Sequence, residues 1–241
     1  MPLTVQYSED QNGVVFNSHR DGVTVAAFTT HVQVSTEAIA LADIATHLAE
    51  RLQPSAFDVE IVERAKPLRQ AWKVQHDEGL TEKRAFAEAE VRMAEIPPSV
   101  RRDNFLEIRA SFKGLDTAEA AQTASRADLE TLAALIDGGQ VLTGLSDPAW
   151  EIVQDRYLVL ANIERMGLLA NFQQVPTVDN LLATGPDLAA AEKAVREMLA
   201  AHEQRKDDLK NSESELLSML KFMANVEKRS VDDVLLSALA A

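Results

Sequence analysis

The sequence predicts a mainly α protein, α+β overall: a small N-terminal antiparallel β-meander followed by a multi-helix bundle with a long C-terminal helix or helical hairpin. Three observations carry this. The first 34 residues are β-prone runs joined by glycine-bearing pairs. From Ser35 onward, caps and breakers punctuate segments of helical period. Near the C-terminus Leu188, Val195, His202, Leu209, Leu216 and Met223 fall seven apart, with Ala191, Met198, Arg205, Ser212, Met219 and Val226 three further on. An apolar seam with that repeat is what one helix needs to lie along another.

The elements follow in order. Residues 3–7 alternate apolar and polar, 13–16 form a short apolar run and 22–34 a longer one. Asn12-Gly13 and Asp21-Gly22 connect them, and glycine accepts the positive φ that tight hairpins require. A sheet this small needs cover on one face. Ser35 or Thr36 caps a helix with an apolar face of Ile39, Ile44, Leu48 and Leu52, broken by Pro54. A second helix spans about 57–78, kinked or split by Pro67 and stopped at Gly79. A third spans 80–96, with Phe86, Ala89, Met93 and Ile96 on one face, and ends at Pro97-Pro98.

Residues 99–113 form a short helix closed by Gly114. Asp116 and Glu119 make a capping box for a helix through Ile136, ended by Gly138-Gly139. Asp147-Pro148 is an N-cap and N1 pair for a helix to about Ala170, and its run 157–161, apolar all round, makes it the most buried helix. Residues 173–186 read as a linker with Pro176, Gly185 and Pro186, and a possible turn at 178–182. Residues 187–226 would span ~60 Å as one helix at ~1.5 Å per residue. Ser212 with Glu215 offers a second capping box, and hence a hairpin turning near Asn211. Ser230 caps a last helix through Leu239. These punctuation marks divide the chain into 1–96, a small α+β part; 97–175, a helical core; and 176–241, a linker and C-terminal association segment.

The 241 residues contain no cysteine, which excludes disulfides, thiolate metal sites and cysteine nucleophiles. The start has no basic or apolar leader pattern and no segment reaches the ~20 apolar residues a bilayer needs, so a cytoplasmic protein, or one incorporated in an assembled particle, is expected. Net charge is −14, and residues 116–180 alone carry ten acids and three bases. Such a surface repels phosphate backbones and anionic membranes. Neither nucleic acid nor membrane is expected as a partner.

No cofactor and no metal is expected. The five histidines, His19, His31, His47, His76 and His202, lie on different elements, and no pair has the spacing that presents two imidazoles to one ion. His31 falls on a strand, sharing a face with Thr29 and Gln33. His76-Asp77-Glu78 sits at a helix C-terminus before Gly79, where a cap role accounts for it. Asp232-Asp233 occupy a first helical turn and complement its dipole. None of the nine glycines belongs to a phosphate-cradling motif, and no nucleophile elbow occurs. Arg102, Arg109 and Lys113, with Arg101 close by, line one stripe of a helix. Such a stripe suits an acidic partner or a nucleic-acid phosphate; the simpler alternative is that it pairs with the acidic segment downstream.

The expected function is therefore a non-enzymatic interaction or assembly protein, acting by helical self-association or by docking on a larger complex. Leu188, Val195, Met198, Leu209, Leu216, Met219, Leu220 and Met223 are its expected partner-binding face. The expected partner is protein, with a homo-oligomer favoured; a virion component or assembly chaperone of a bacterial virus is a special case. The alternative is an enzyme or ligand-binding protein with a site between the α+β part and the helical part. Its groups would be His31, His76, Arg101 and Arg102, with Trp72 or Trp150 lining the pocket.

Overall fold

Asp21 and Gly22 both take positive φ, 49° and 81°, and turn β2 (Gly13–Arg20) into β3 (Val23–Thr29) as a two-residue hairpin. With β1 (Leu3–Ser8) they form an antiparallel sheet of order β1-β2-β3. The computed structural model describes residues 3–8, 13–178 and 180–241; the expected turn at Asn12-Gly13 begins outside them. β2 alternates, burying Val14, Phe16 and Ser18. Helices follow: α1 (Val32–Arg51), α2 (Pro54–Arg64), α3 (Lys66–Ala94), α4 (Phe105–Phe112), α5 (Thr117–Arg126), α6 (Leu129–Thr143), α7 (Asp147–Arg165), the single turn α8 (Leu168–Asn171), α9 (Leu188–Glu227) and α10 (Val231–Leu239).

The chain divides into two compact units: unit 1 is residues 1–86 with 205–241, and unit 2 is residues 87–204. It leaves unit 1 within α3 and returns within α9. Pro97-Pro98 does follow the end of α3, but the units divide earlier, inside that helix. The C-terminal third is shared between the two units. Each unit has its own core. In unit 1, Phe16 meets Phe222 at 5.7 Å, and Leu41, Ile61, Leu68, Met219 and Met223 complete the packing. In unit 2, Leu132, Leu135, Val153, Tyr157 and Ile163 pack with Ala191 and Val195.

Several sequence expectations are corrected. β3 ends at Thr29, so His31 is not on a strand; it is the N-cap residue of α1, without a side-chain capping bond. Ser35 and Thr36 lie inside α1 and bond back to the Val32 carbonyl at 2.8 Å each. The buried face of α1 is Val34, Ala38, Leu41, Ala42 and Ala45, with Leu52 exposed, because small residues let the helix approach closely. Pro54 opens α2 rather than only ending α1. Pro67 does mark a split, since α2 stops at Arg64 and α3 starts at Lys66. Gly79 does not stop a helix: α3 runs through it, which places His76-Asp77-Glu78 mid-helix.

The capping box at Asp116 and Glu119 is present, with the Glu119 N–H donating to Asp116 Oδ1 at 2.8 Å. Its helix nevertheless ends at Arg126, and Asp128 caps a new one, α6, by accepting from the Thr131 N–H at 2.9 Å. Gly139, at φ 69° and ψ 166°, breaks the helical path within α6 as its position after Ile136 implied. Ser146, one residue earlier than expected, is the N-cap residue of α7, which stops at Arg165. Residues 157–163 of α7 are buried but for the half-buried Leu158. Ser230 caps α10 by accepting from the Asp233 N–H at 3.1 Å. Replacing Asp116 by alanine is expected to destabilise the protein by ~1 kcal/mol in urea titration, since it orphans one donor at the start of α5.

The hairpin alternative for residues 187–226 is also corrected. α9 is a single helix of 40 residues, started by Asp187, whose carboxylate accepts the Ala190 N–H at 3.0 Å. Its polar belt is held from the side. Glu213 pairs with Lys83 of α3 at 3.1 Å, Arg205 pairs with Glu82, and Lys210 pairs with Asp207 at 2.9 Å. No helix among the described residues is long and apolar enough to cross a membrane.

Candidate functional site

The segment between α8 and α9 is the part of the chain whose composition and surroundings disagree most. Gly167, left-handed at φ 61°, ends α7 and admits the short turn α8. The chain then leaves as residues 173–186 and comes back to its starting point. Gln173 and Pro186 form an antiparallel bridge, the Gln174 N–H donates to the Gly185 carbonyl at 2.8 Å, and the Asp187 N–H donates to the Phe172 carbonyl at 2.9 Å. Gly185, at φ 96°, allows the return. Inside the loop, the Thr177 and Asn180 backbones exchange hydrogen bonds at 3.0 and 3.1 Å. A loop with a closed neck and its own internal bonds is an Ω-loop, a form often used for function.

This loop presents four aliphatic side chains to water: Val175 is 75% exposed, Val178 93%, Leu181 73% and Leu182 87%. Only Ala183 among its apolar residues turns inward. Burying each of the four would gain about 1.5–3 kcal/mol, and apolar exposure concentrated on one short loop is a feature of contact surfaces. The proline and glycine content of residues 173–186 gives them a linker's signature in sequence. The available signal was four aliphatic residues within eight positions, outside any helical or strand period.

The expected partner-binding residues are placed differently. Val195 is buried in the core of unit 2, and Leu216, Met219, Leu220 and Met223 are buried in that of unit 1. Their seven-residue spacing serves the chain's own packing, so these five do not form a free docking face. Met198 and Leu209 are half-buried, Met198 against the unit 2 core. Leu188 is 43% exposed and stands at the foot of the Ω-loop, as the first residue of α9.

The groups expected of an enzyme site are dispersed. His76 stacks on Trp72 at 5.0 Å between ring centres. Trp72 is a core residue, its Nε1–H donating to the Leu216 carbonyl at 2.9 Å. Trp150 packs half-buried on the core of unit 2. Arg101 and Arg102 precede α4 rather than lying on it, so they do not share a helical stripe with Arg109 and Lys113. Arg109 pairs with Asp137 at 2.9 Å, the internal pairing with the downstream acidic segment. Among the described residues, Arg101, Arg102 and Lys113 make no ion pair, and no group of three or more His, Asp or Glu could hold a metal.

His31 meets both a serine and a carboxylate, in a polar cleft of about 570 Å³ within unit 1. Its Nε2 lies 3.1 Å from Ser212 Oγ and 3.8 Å from Glu215 Oε2. An acid–base relay needs the serine and the carboxylate on different ring nitrogens. Here both face the same one. Glu215 is moreover occupied, accepting the Thr30 N–H at 2.8 Å and the Thr30 hydroxyl at 3.0 Å. A carboxylate there complements the positive end of the α1 dipole. The cluster therefore fastens the start of α1 to α9 rather than activating a nucleophile.

Comparison with protein-family models, curated proteins and solved structures finds no match of this chain to any of them.

Proposed function

We propose that the protein works by contact with other protein, as an assembly or interaction factor, and that the Ω-loop of residues 173–186 is its contact element. The observation that carries this reading is the exposure of Val175, Val178, Leu181 and Leu182 on a loop whose neck is fixed by backbone hydrogen bonds. A pre-closed loop loses little conformational freedom on docking, so most of the apolar burial becomes affinity. The cluster at His31 supports the same reading, because its carboxylate is engaged in structural bonds.

The test is a variant with Val175, Val178, Leu181 and Leu182 all replaced by serine. Exposed positions change stability little, within about 0.5 kcal/mol each, so the fold is expected to persist by circular dichroism. Light scattering is expected to find the wild-type chain in species larger than its 26.4 kDa, or holding a component of its native host, and the variant reduced to a bare monomer. A wild-type chain that stays monomeric and retains nothing, or a variant that associates as the wild type does, would overturn the proposal.

A further inference from the structure

Unit 2 carries a second exposed feature of opposite charge. Leu106, 76% exposed on α4, is accompanied in sequence by Arg101, Arg102 and Lys113, all exposed and without ion pairs among the described residues. Residues 101–113 hold four basic side chains, of which Arg109 is paired with Asp137, and two acidic ones, whereas unit 2 as a whole has ten basic and nineteen acidic, a net charge of −9. The Ω-loop is the reverse: residues 173–186 hold one acid, Asp179, and no basic residue, and Asp187 follows directly at the start of α9. Glu192, further on, is already paired with Arg156 at 3.5 Å. One surface is apolar with cationic company and the other is apolar with anionic company.

We infer that the Ω-loop of one copy docks on the Leu106 surface of a second copy, with Arg101, Arg102 and Lys113 facing the acidic stretch around the loop. The inference rests on the contact role proposed for the loop and names its partner. Charge decides between the two self-contacts that the loop offers. Loop against loop would set acid against acid, which costs affinity, while loop against α4 sets acid against unpaired base. The contact joins two different patches, so it closes into a reciprocal pair or a ring, or else propagates. Burying Leu181, Leu182 and Leu106 supplies the apolar part, and the arginines supply salt sensitivity and register.

The experiment is sedimentation velocity on the full chain with two single-surface variants, Leu182→Asp in the loop and Leu106→Asp on α4. Arg101→Glu with Arg102→Glu stands in should Leu106→Asp fail to fold. The wild type is expected to self-associate, with dissociation constant rising at least about tenfold between low and ~0.5 M salt. Each variant alone is expected to be monomeric. An equal mixture of the two is expected to regain a two-chain species, weaker than the wild type, because one intact loop meets one intact α4 surface. A wild type that associates while the mixture does not would overturn this inference and leave the contact role of the loop standing. A wild type that is monomeric overturns the inference directly. In that case, loss of a captured host component in the loop variant decides the broader proposal.

Discussion

Removal of residues 185–241 is expected to unfold the chain rather than release a folded core lacking its contact segment. The cut takes Leu216, Met219, Leu220, Phe222, Met223 and Val226 out of the core of unit 1, and Ala191 and Val195 out of that of unit 2. At about 1.5–3 kcal/mol for each of the six larger side chains, the loss is roughly 9–18 kcal/mol. That equals or exceeds the ~5–15 kcal/mol by which a whole domain is stable. The truncated chain should show no cooperative urea transition and should bind a hydrophobic dye. A wild-type midpoint in the truncated chain would contradict the placement of α9 in both cores.

The second large effect centres on Arg69 and Glu227. Both are buried, and Arg69 Nη1 donates to Glu227 Oε1 while Nη2 donates to the Val62 carbonyl at 2.8 Å. Arg229 approaches the other Glu227 oxygen at 3.2 Å and itself holds Ser237 of α10 at 2.8 Å. The pair thus ties α2, α3, α9 and α10 at one point. Burial pushes the Glu227 carboxyl above the usual carboxylate range, against the opposing pull of Arg69 and Arg229. Arg69→Met is expected to destabilise the protein by about 3–5 kcal/mol at neutral pH, because it leaves a buried charge with a poorer partner.

The pH dependence of that variant has a defined sign. A carboxyl whose folded pKa is raised binds its proton more tightly when folded. Its contribution is fully favourable below the unfolded pKa and is lost as pH rises through the folded one. Arg69→Met removes a lowering influence, so its deficit should grow as pH climbs from acid toward neutral, as read by urea midpoints across that range. Arg69→Met with Glu227→Leu should recover most of the loss, since two apolar groups replace two charges. A double variant as unstable as the single one would assign the effect to packing.

What the sequence revealed depended on how local each signal is. The caps at Asp116 and Ser230 were legible because a side chain and a backbone N–H three residues away settle them. The break between α5 and α6 carries the same sort of signal at Asp128, which competes with a helical pattern that continues across it from the capping box upstream. Gly79 and the pair Ser212 and Glu215 misled for the opposite reason. Their local pattern says stop and start, but Glu82 and Lys83 pair with α9, and Glu215 reaches the distant Thr30. Tertiary partners override such weak local preferences. The candidate site was half legible. Residues 173–186 read correctly as irregular, but exposure is a property of the packed chain, and no local pattern says that Leu181 and Leu182 stay in water.

The split of unit 1 into residues 1–86 and 205–241 has a consequence for biosynthesis. When the β-meander leaves the ribosome, the helix segments that cover it do not yet exist. At ~5–20 residues per second, the roughly 190 residues from the end of β3 to Phe222 take on the order of 10–40 s to appear. Phe16 and its neighbours spend that interval without Phe222, while residues 87–204 emerge whole and in order. The nascent N-terminal sheet is thus the part of this protein most in need of a chaperone's shelter.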